Sequence, residues 1–146
     1  MYVKVLNFKS DEENMEKILT FIVKEHKLLL LLGSDSDPQF HKSFWYTVTG
    51  GYEKEDVSLK DCVVREVKEE TGLNLTNIID LQWTFQYESL GESCIEHAFI
   101  SYANEDNVQL NEENIDYKWC ELNEFINLIY WHYDKKELKE KIEKYI

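Results

Sequence analysis

The period of the apolar positions changes several times along the chain, and each change marks an element. Residues 18–23 (Ile-Leu-Thr-Phe-Ile-Val) and 28–32 (five leucines) are short apolar runs on either side of the polar tetrapeptide 24–27. That pattern predicts two strands in a hairpin. The polar run 33–42, which contains the one proline, Pro38, reads as a long loop. Residues 44–51, Phe-Trp-Tyr-Thr-Val-Thr-Gly-Gly, are aromatic and β-branched and close on a glycine pair, as a strand entering a turn would. The period then becomes helical from 58 to 71, with Leu59, Cys62, Val63 and Val67 on one side. Ser58 and Asp61 resemble a capping box, and Gly72 closes the helix. Residues 78–87 and 93–103 read as strands and 117–121 as a further short strand, while 122–133 and 135–146 carry the three-and-four spacing of helices. Strands, one helix, strands and two helices make an α+β chain with a mixed sheet between helices. No repeat, low-complexity stretch or linker interrupts it, so one domain is expected over 1–146.

Composition narrows the partners. The 146 residues include 29 acidic and 16 basic side chains, a formal charge of -13, with 43% hydrophobic residues. The apolar fraction excludes a disordered chain. A polyanion binder needs a basic face, so a nucleic acid polymer is not an expected partner. No apolar run approaches the roughly 18 residues of a membrane helix, and the charge-punctuated start does not read as a signal peptide. Cys62, Cys94 and Cys120 offer neither zinc-ligand spacing nor an even disulfide set, which points to a reducing, cytoplasmic setting.

The candidate chemistry lies on the first helix, in Arg65-Glu66-Val67-Lys68-Glu69-Glu70-Thr71-Gly72-Leu73. At about 100° per residue, Glu66 and Glu70 lie about 40° apart and Glu69 about 60° to the other side, so the three carboxylates share a face. Their repulsion costs a few tenths of a kcal/mol per pair, and hard divalent ions such as Mg²⁺ or Mn²⁺ relieve it by bridging the oxygens. A bare Glu-x-x-Glu-Glu is otherwise a solvated acidic face.

The wider arrangement decides between the two. The stretch 51–73 resembles the Nudix box: a glycine, five residues, a glutamate, seven residues, then Arg-Glu, an aliphatic, any residue, Glu-Glu, any residue, Gly and an aliphatic. Gly51, Arg65, Glu66, Val67, Glu69, Glu70, Gly72 and Leu73 supply eight of the nine defined positions. The ninth, the early glutamate, is Val57, with Asp56 beside it: either the carboxylate is lost or an aspartate in a longer loop takes its place. The resemblance implies an α/β/α Nudix sandwich and a Mg²⁺-dependent hydrolase of phosphoanhydride bonds, with Mn²⁺ as a substitute. It implies Glu66 and Glu70 as metal ligands, Glu69 as a third ligand or the base, and Arg65 as a group that orients a glutamate while pointing off the carboxylate face. A main-chain oxygen of Gly50 or Gly51 is a further expected ligand, because a residue without a side chain admits close approach. Relatives add a distal carboxylate before a Tyr-x-Trp strand; here 111–119 offers Glu113, preferred over Glu112.

Two further stretches, 44–50 and 117–119 with the terminal helix, are similar to the bacterial dihydroneopterin triphosphate and dATP pyrophosphohydrolases. That likeness implies a small nucleoside or pterin triphosphate cleaved to a monophosphate and pyrophosphate. Trp45 and Thr49 are the expected substrate contacts, and Tyr46, Trp83 and Phe85 are further candidates for a stacking slot. His97 and Glu96 alternate to opposite faces of a strand, so at most one lines the cleft. The Asn-x-Cys-x-x-His pattern of the isomerase branch is missing, and Cys62 reads as packing. Many relatives dimerise, so a homodimer is a possible assembly. The missing glutamate at Val57 motivates the competing reading, a module that binds a nucleotide derivative without cutting it.

Overall fold

The computed structural model describes residues 14–34, 43–105 and 107–146. Most of the loop read at 33–42 and most of the acidic stretch 10–16 lie outside the described residues. Strand β1 (Met15–Lys24) is the middle of a seven-stranded sheet, because both of its faces are apolar. Ile18, Leu19, Phe21, Ile22 and Val23 are each at most 3% exposed, the burial a strand covered on both sides requires. It turns into β2 (Lys27–Gly33) through Glu25 and His26, whose φ values of 49° and 68° are the left-handed pair of a two-residue hairpin turn. The turn is therefore two residues, set within the polar tetrapeptide.

The strand expected at 44–51 is split into β3 (Trp45–Tyr46), which pairs with β2, and β4 (Val48–Gly51), which pairs antiparallel with β1. Thr47 is the break, and its hydroxyl donates to the carbonyl of Thr20. The split follows from geometry, since β1 and β2 pair only at Val23 with Leu28 and Lys24 with Lys27 and then diverge. Strands β5 (Leu75–Ser89) and β6 (Glu92–Ala103) form a long antiparallel pair closed by Leu90 and Gly91, both at positive φ. Strand β6 lies parallel to β1 from Met15 to Val23, and β7 (Asn114–Cys120) joins the far edge of β2.

Helix α1 (Leu59–Thr71) covers one face, where Cys62, Val63 and Val67 meet Ile18, Ile22, Leu29 and Phe99. Ser58 caps it by accepting from the Asp61 N–H at 3.1 Å, and Gly72 ends it in the left-handed region. Asp61 reaches back to the Val57 N–H, one residue before the cap, so the capping box is displaced by one position. Helices α2 (Leu122–Leu128) and α3 (Lys135–Ile142) cover the other face, with Phe125, Leu138 and Ile142 against Leu19, Phe21 and Leu30. The layers are those of an α/β/α sandwich. The helix expected at 122–133 stops at Leu128, because Ile129 turns to an extended ψ of 136° and Trp131 packs on Phe21. A run rich in aromatic and β-branched side chains has little helix propensity to oppose this. The helix expected at 135–146 likewise ends early and closes in a 3₁₀ turn, Glu143–Tyr145. Among the described residues no helix is long and apolar enough to cross a membrane.

The β1–β2 turn yields a test. Replacing Glu25-His26 by Asn-Gly, the pair that best tolerates two positive φ values, should stabilise the protein by about 1 kcal/mol in urea denaturation. An unchanged or lower midpoint would show that the turn carries no backbone strain.

Candidate functional site

The site is assembled around one side chain. Arg65 leaves the middle of α1 and donates through Nε and Nη2 to the two carboxylate oxygens of Asp56, at 3.0 and 2.8 Å. The same Nη2 donates to the Gly51 carbonyl at 2.9 Å, and Nη1 donates to Glu66 Oε2 at 3.1 Å. Nη1 also lies 3.5 Å from Glu69 and 3.8 Å from Glu53. Arg65 therefore does not point off the carboxylate face, as the helical wheel predicted. Its long stem lets the guanidinium fold over Glu66 and Glu69 and bind them to the loop.

Asp56 is 7% exposed and Val57 is 87% exposed, so of the two neighbours the aspartate turns inward. Its carboxylate also accepts from the Glu53 N–H at 2.9 Å, and its carbonyl accepts from the Tyr52 hydroxyl at 2.8 Å. The hydrogen bonds from Arg65 lead in lowering its pKa to about 2, with the Glu53 N–H adding to them. The guanidinium is held protonated still more firmly than usual by the same pair.

The glutamates divide by burial. Glu70 is 6% exposed, and its pKa is pushed up to about 9, chiefly by desolvation and then by the charges of Glu113 and Glu66. Its carboxyl is hydrogen-bonded to Glu66 and to the Asn114 side chain. Burial also leads in raising Glu66, whose carboxylate lies so close to Gly50 that a Cβ there would fall 2.0 Å from it. With Glu66 in this place only glycine fits at that position. Glu69 is the exposed member, with its side chain 54% accessible beside Arg65. Glu113, the residue before β7, is near enough for its charge to act on both Glu66 and Glu70, so the segment before the Tyr-x-Trp strand reaches the box helix.

Among the described residues no set of three or more His, Cys, Asp or Glu side chains is already drawn together as an ion cluster. Hard carboxylate oxygens are a donor set suited to Mg²⁺ or Mn²⁺. The Gly51 carbonyl is already engaged by Arg65 and by the Cys62 thiol, so of the two glycines Gly50 is the one left beside Glu66. The Cys62 thiol is pushed up to about 12, mainly by burial, and is packing.

The expected substrate contacts lie along the adjoining strands. Thr49 is half-buried opposite Leu19, directly before Gly50. Trp45 is half-buried, and its carbonyl accepts from the Tyr130 N–H at 2.8 Å. Trp83 and Phe85 are core residues with ring centroids 4.8 Å apart, and Tyr46 packs at their margin. His97 faces α1 and pairs with Glu16 at 2.7 Å, while Glu96 is buried on the opposite face, as the alternation predicted. Asn114 was not foreseen, and its only signal was its place next to Glu113.

Comparisons with known proteins agree with this geometry. The family profile described as NUDIX domain matches residues 16–142. The structure of a MutT protein from Methanosarcina mazei Go1 superposes with a TM-score of 0.71 and 25% identity over 90% of this chain and 95% of that one. The E. coli dihydroneopterin triphosphate pyrophosphohydrolase superposes with a TM-score of 0.69 and 23% identity over 88% and 95%. A curated relative, the NAD-capped RNA hydrolase NudC of Vibrio vulnificus, is 53% identical over 38 residues, 26% of this chain. That match spans only 15% of the relative's own length.

Two tests follow from the charges. The depressed pKa of Asp56 stabilises the fold above the ordinary carboxyl value of 3.8, and this contribution is lost as pH falls towards about 2. Asp56→Asn should therefore be less stable than the parent by a constant margin from pH 5 to 8, and the margin should shrink below about pH 4 in urea titrations. Glu70 has the opposite sign. Its folded pKa lies above the ordinary 4.5, so stability falls as pH rises from about 4.5 to about 9. Metal-free Glu70→Gln should gain about 2–3 kcal/mol over the parent at pH 7, with no gain below pH 4.5; equal midpoints at pH 8 would refute the buried acid.

Proposed function

We propose, from the premise that this chain belongs to the NUDIX family, that it is a hydrolase of phosphoanhydride bonds acting on a small nucleoside or pterin triphosphate. The products are a monophosphate and pyrophosphate. The observation that carries the reading is the close set of half-buried Glu66 and buried Glu70, with Glu113 near both and Arg65 fastening Glu66 to the glycine turn. A cation or an anionic substrate carried by one would compensate such a set.

Glu66, Glu69, Glu70, Glu113 and the Gly50 carbonyl would hold Mg²⁺, or Mn²⁺ in its place. The bound ion supplies neutralisation of the substrate's phosphate charge and a lowered pKa for water. The chain's own residues do the rest. Arg65 and Asp56 fix Glu66 against Gly50, so the acid meets the diphosphate without rearranging. Glu69 serves as the third ligand or as the base, and its exposure suits passage of a proton to solvent. Thr49 and Trp45 contact the substrate beside the turn.

The Val57 position that motivated a binding-only module has a counterpart in Asp56, whose carboxylate holds Arg65. An acidic chain also suits a small anionic substrate brought by cations better than a nucleic acid polymer. The free cysteines Cys62, Cys94 and Cys120 are consistent with a cytoplasmic setting, and a homodimer is compatible with the fold.

Incubation with Mg²⁺ and a panel of nucleoside and pterin triphosphates should release pyrophosphate, with Glu70→Gln lowering kcat about 100-fold. Full activity in that variant would remove Glu70 from the role, and inorganic phosphate as the product would place the cut at a different bond.

A further inference from the structure

The loop between the glycine turn and α1 departs from the box pattern, and the departure sets a geometric problem. Where the pattern has a glutamate this chain has Val57, which is 87% exposed. The acid that turns inward is Asp56, one residue earlier and one methylene shorter. A shorter side chain reaches Arg65 only if the main chain at residue 56 stands closer to α1. The fork onto Arg65 is nevertheless complete, at 3.0 and 2.8 Å, so the loop is held inward at that point.

Tyr52 is placed to hold it. This residue follows β4, and its N–H donates to the Glu16 carbonyl of β1 at 2.8 Å, which ties its main chain to the sheet. Its hydroxyl then crosses the loop and donates to the Asp56 carbonyl at 2.8 Å. Within the loop, the Asp56 N–H donates to the Glu53 carbonyl and the Glu53 N–H donates to Asp56 Oδ2, both at 2.9 Å. That reciprocal pair shapes the turn and aims the carboxylate, but it does not fix how the turn stands towards the sheet. The Tyr52 bond does, because one of its ends belongs to a residue already fastened to β1. The ring itself is 38% exposed, so burial is a lesser reason for a tyrosine here than the bond its hydroxyl makes.

We propose that Tyr52 is a positioning residue of the cation site: through Asp56 it sets Arg65, and through Arg65 it sets Glu66 against Gly50. The inference rests on the reading of Glu66 as a ligand for Mg²⁺ or Mn²⁺ in the proposed hydrolase, and none of its links needs the substrate. The links run from the Tyr52 hydroxyl to the Asp56 carbonyl, from the Asp56 carboxylate to Arg65 Nε and Nη2, and from Arg65 Nη1 to Glu66 Oε2 at 3.1 Å. Residues behind a ligand orient it, and their loss lowers metal affinity without removing a ligand. Spacing alone gives no sign of this role, since Tyr52 falls in the unspecified stretch after Gly51.

The variant that tests it is Tyr52→Phe, which removes one oxygen and leaves the ring. In metal-free protein, the Arg65 Nε–H followed by NMR should exchange with water several-fold faster than in the parent, while the amides of β1 and β6 keep their parental protection. Mn²⁺ binding, measured by calorimetry, should weaken about three- to tenfold. In hydrolysis, the Mg²⁺ concentration for half-maximal rate should rise by the same factor, with KM for the triphosphate unchanged at saturating Mg²⁺. In an Asp56→Ala background, where Arg65 has lost its partner, Tyr52→Phe should change Mn²⁺ affinity less than about twofold. Parental exchange at the Arg65 Nε–H, or parental Mn²⁺ affinity, overturns the proposal. So does an equal loss of affinity in both backgrounds, or lost protection throughout β1 and β6, either of which marks a merely structural role. Should Asp56→Ala fail to fold, the contrast between the Arg65 Nε–H and the sheet amides decides. Should the parent cut no triphosphate, the hydrolase reading fails by itself, and the exchange and Mn²⁺ measurements still decide; a parent that binds no Mn²⁺ overturns the proposal.

Discussion

The structure of the site depends on the reach of one guanidinium. A helix, a glycine turn and the loop between them meet at a half-buried polar edge of the core, where polar bonds define their relation. Arg65 does this with a planar fork of donors that spans Asp56, Gly51 and Glu66 at once. A lysine presents a point charge and would satisfy one of these acceptors at a time. The bidentate pair with Asp56 takes up the loop, which leaves Nη1 for Glu66. The same charge offsets part of the repulsion among the acids that follow it on α1.

That repulsion is the second constraint. Glu70 and Glu66 are buried by their position on the helix, and Gly50 lets Glu66 come closer than any side chain at that position would permit. Apolar packing of Cys62, Val63 and Val67 on the sheet holds the helix where its acids are unfavourable. The hydrophobic core thus supports a local electrostatic cost, and a bound cation would remove it. The formal charge of -13 therefore belongs to two environments, a solvated surface and a small buried set whose protonation depends on what it binds.

Much of this was legible in the sequence, because box residues sit at fixed helical offsets and helix geometry turns offsets into faces. The two covering layers followed from the runs at 18–23 and 28–32, which are too apolar for strands with one wet face. The identity of the loop acid was not legible: adjacent residues 56 and 57 project in opposite directions, and which one turns inward depends on a turn whose dihedrals no spacing encodes. The break at Thr47 was hidden because a continuous β-branched run says nothing about which partner each half finds. The early stop of α2 was hidden for a similar reason, since Trp131 and its neighbours keep helical spacing while their burial against Phe21 requires extended backbone. Glu113 was readable from its neighbourhood, whereas the contact of Asn114 with Glu70 exists only once β7 pairs with β2.

The bond from the Tyr130 N–H to the Trp45 carbonyl has a different kind of consequence. It joins the aromatic segment after α2 to β3 through main-chain atoms, so the tie is indifferent to which side chains stand at either position. Around Glu66 and Gly50, by contrast, every contact names its residue. The aromatic segment can therefore keep its place on the sheet through changes of side chain, whereas the acidic site cannot.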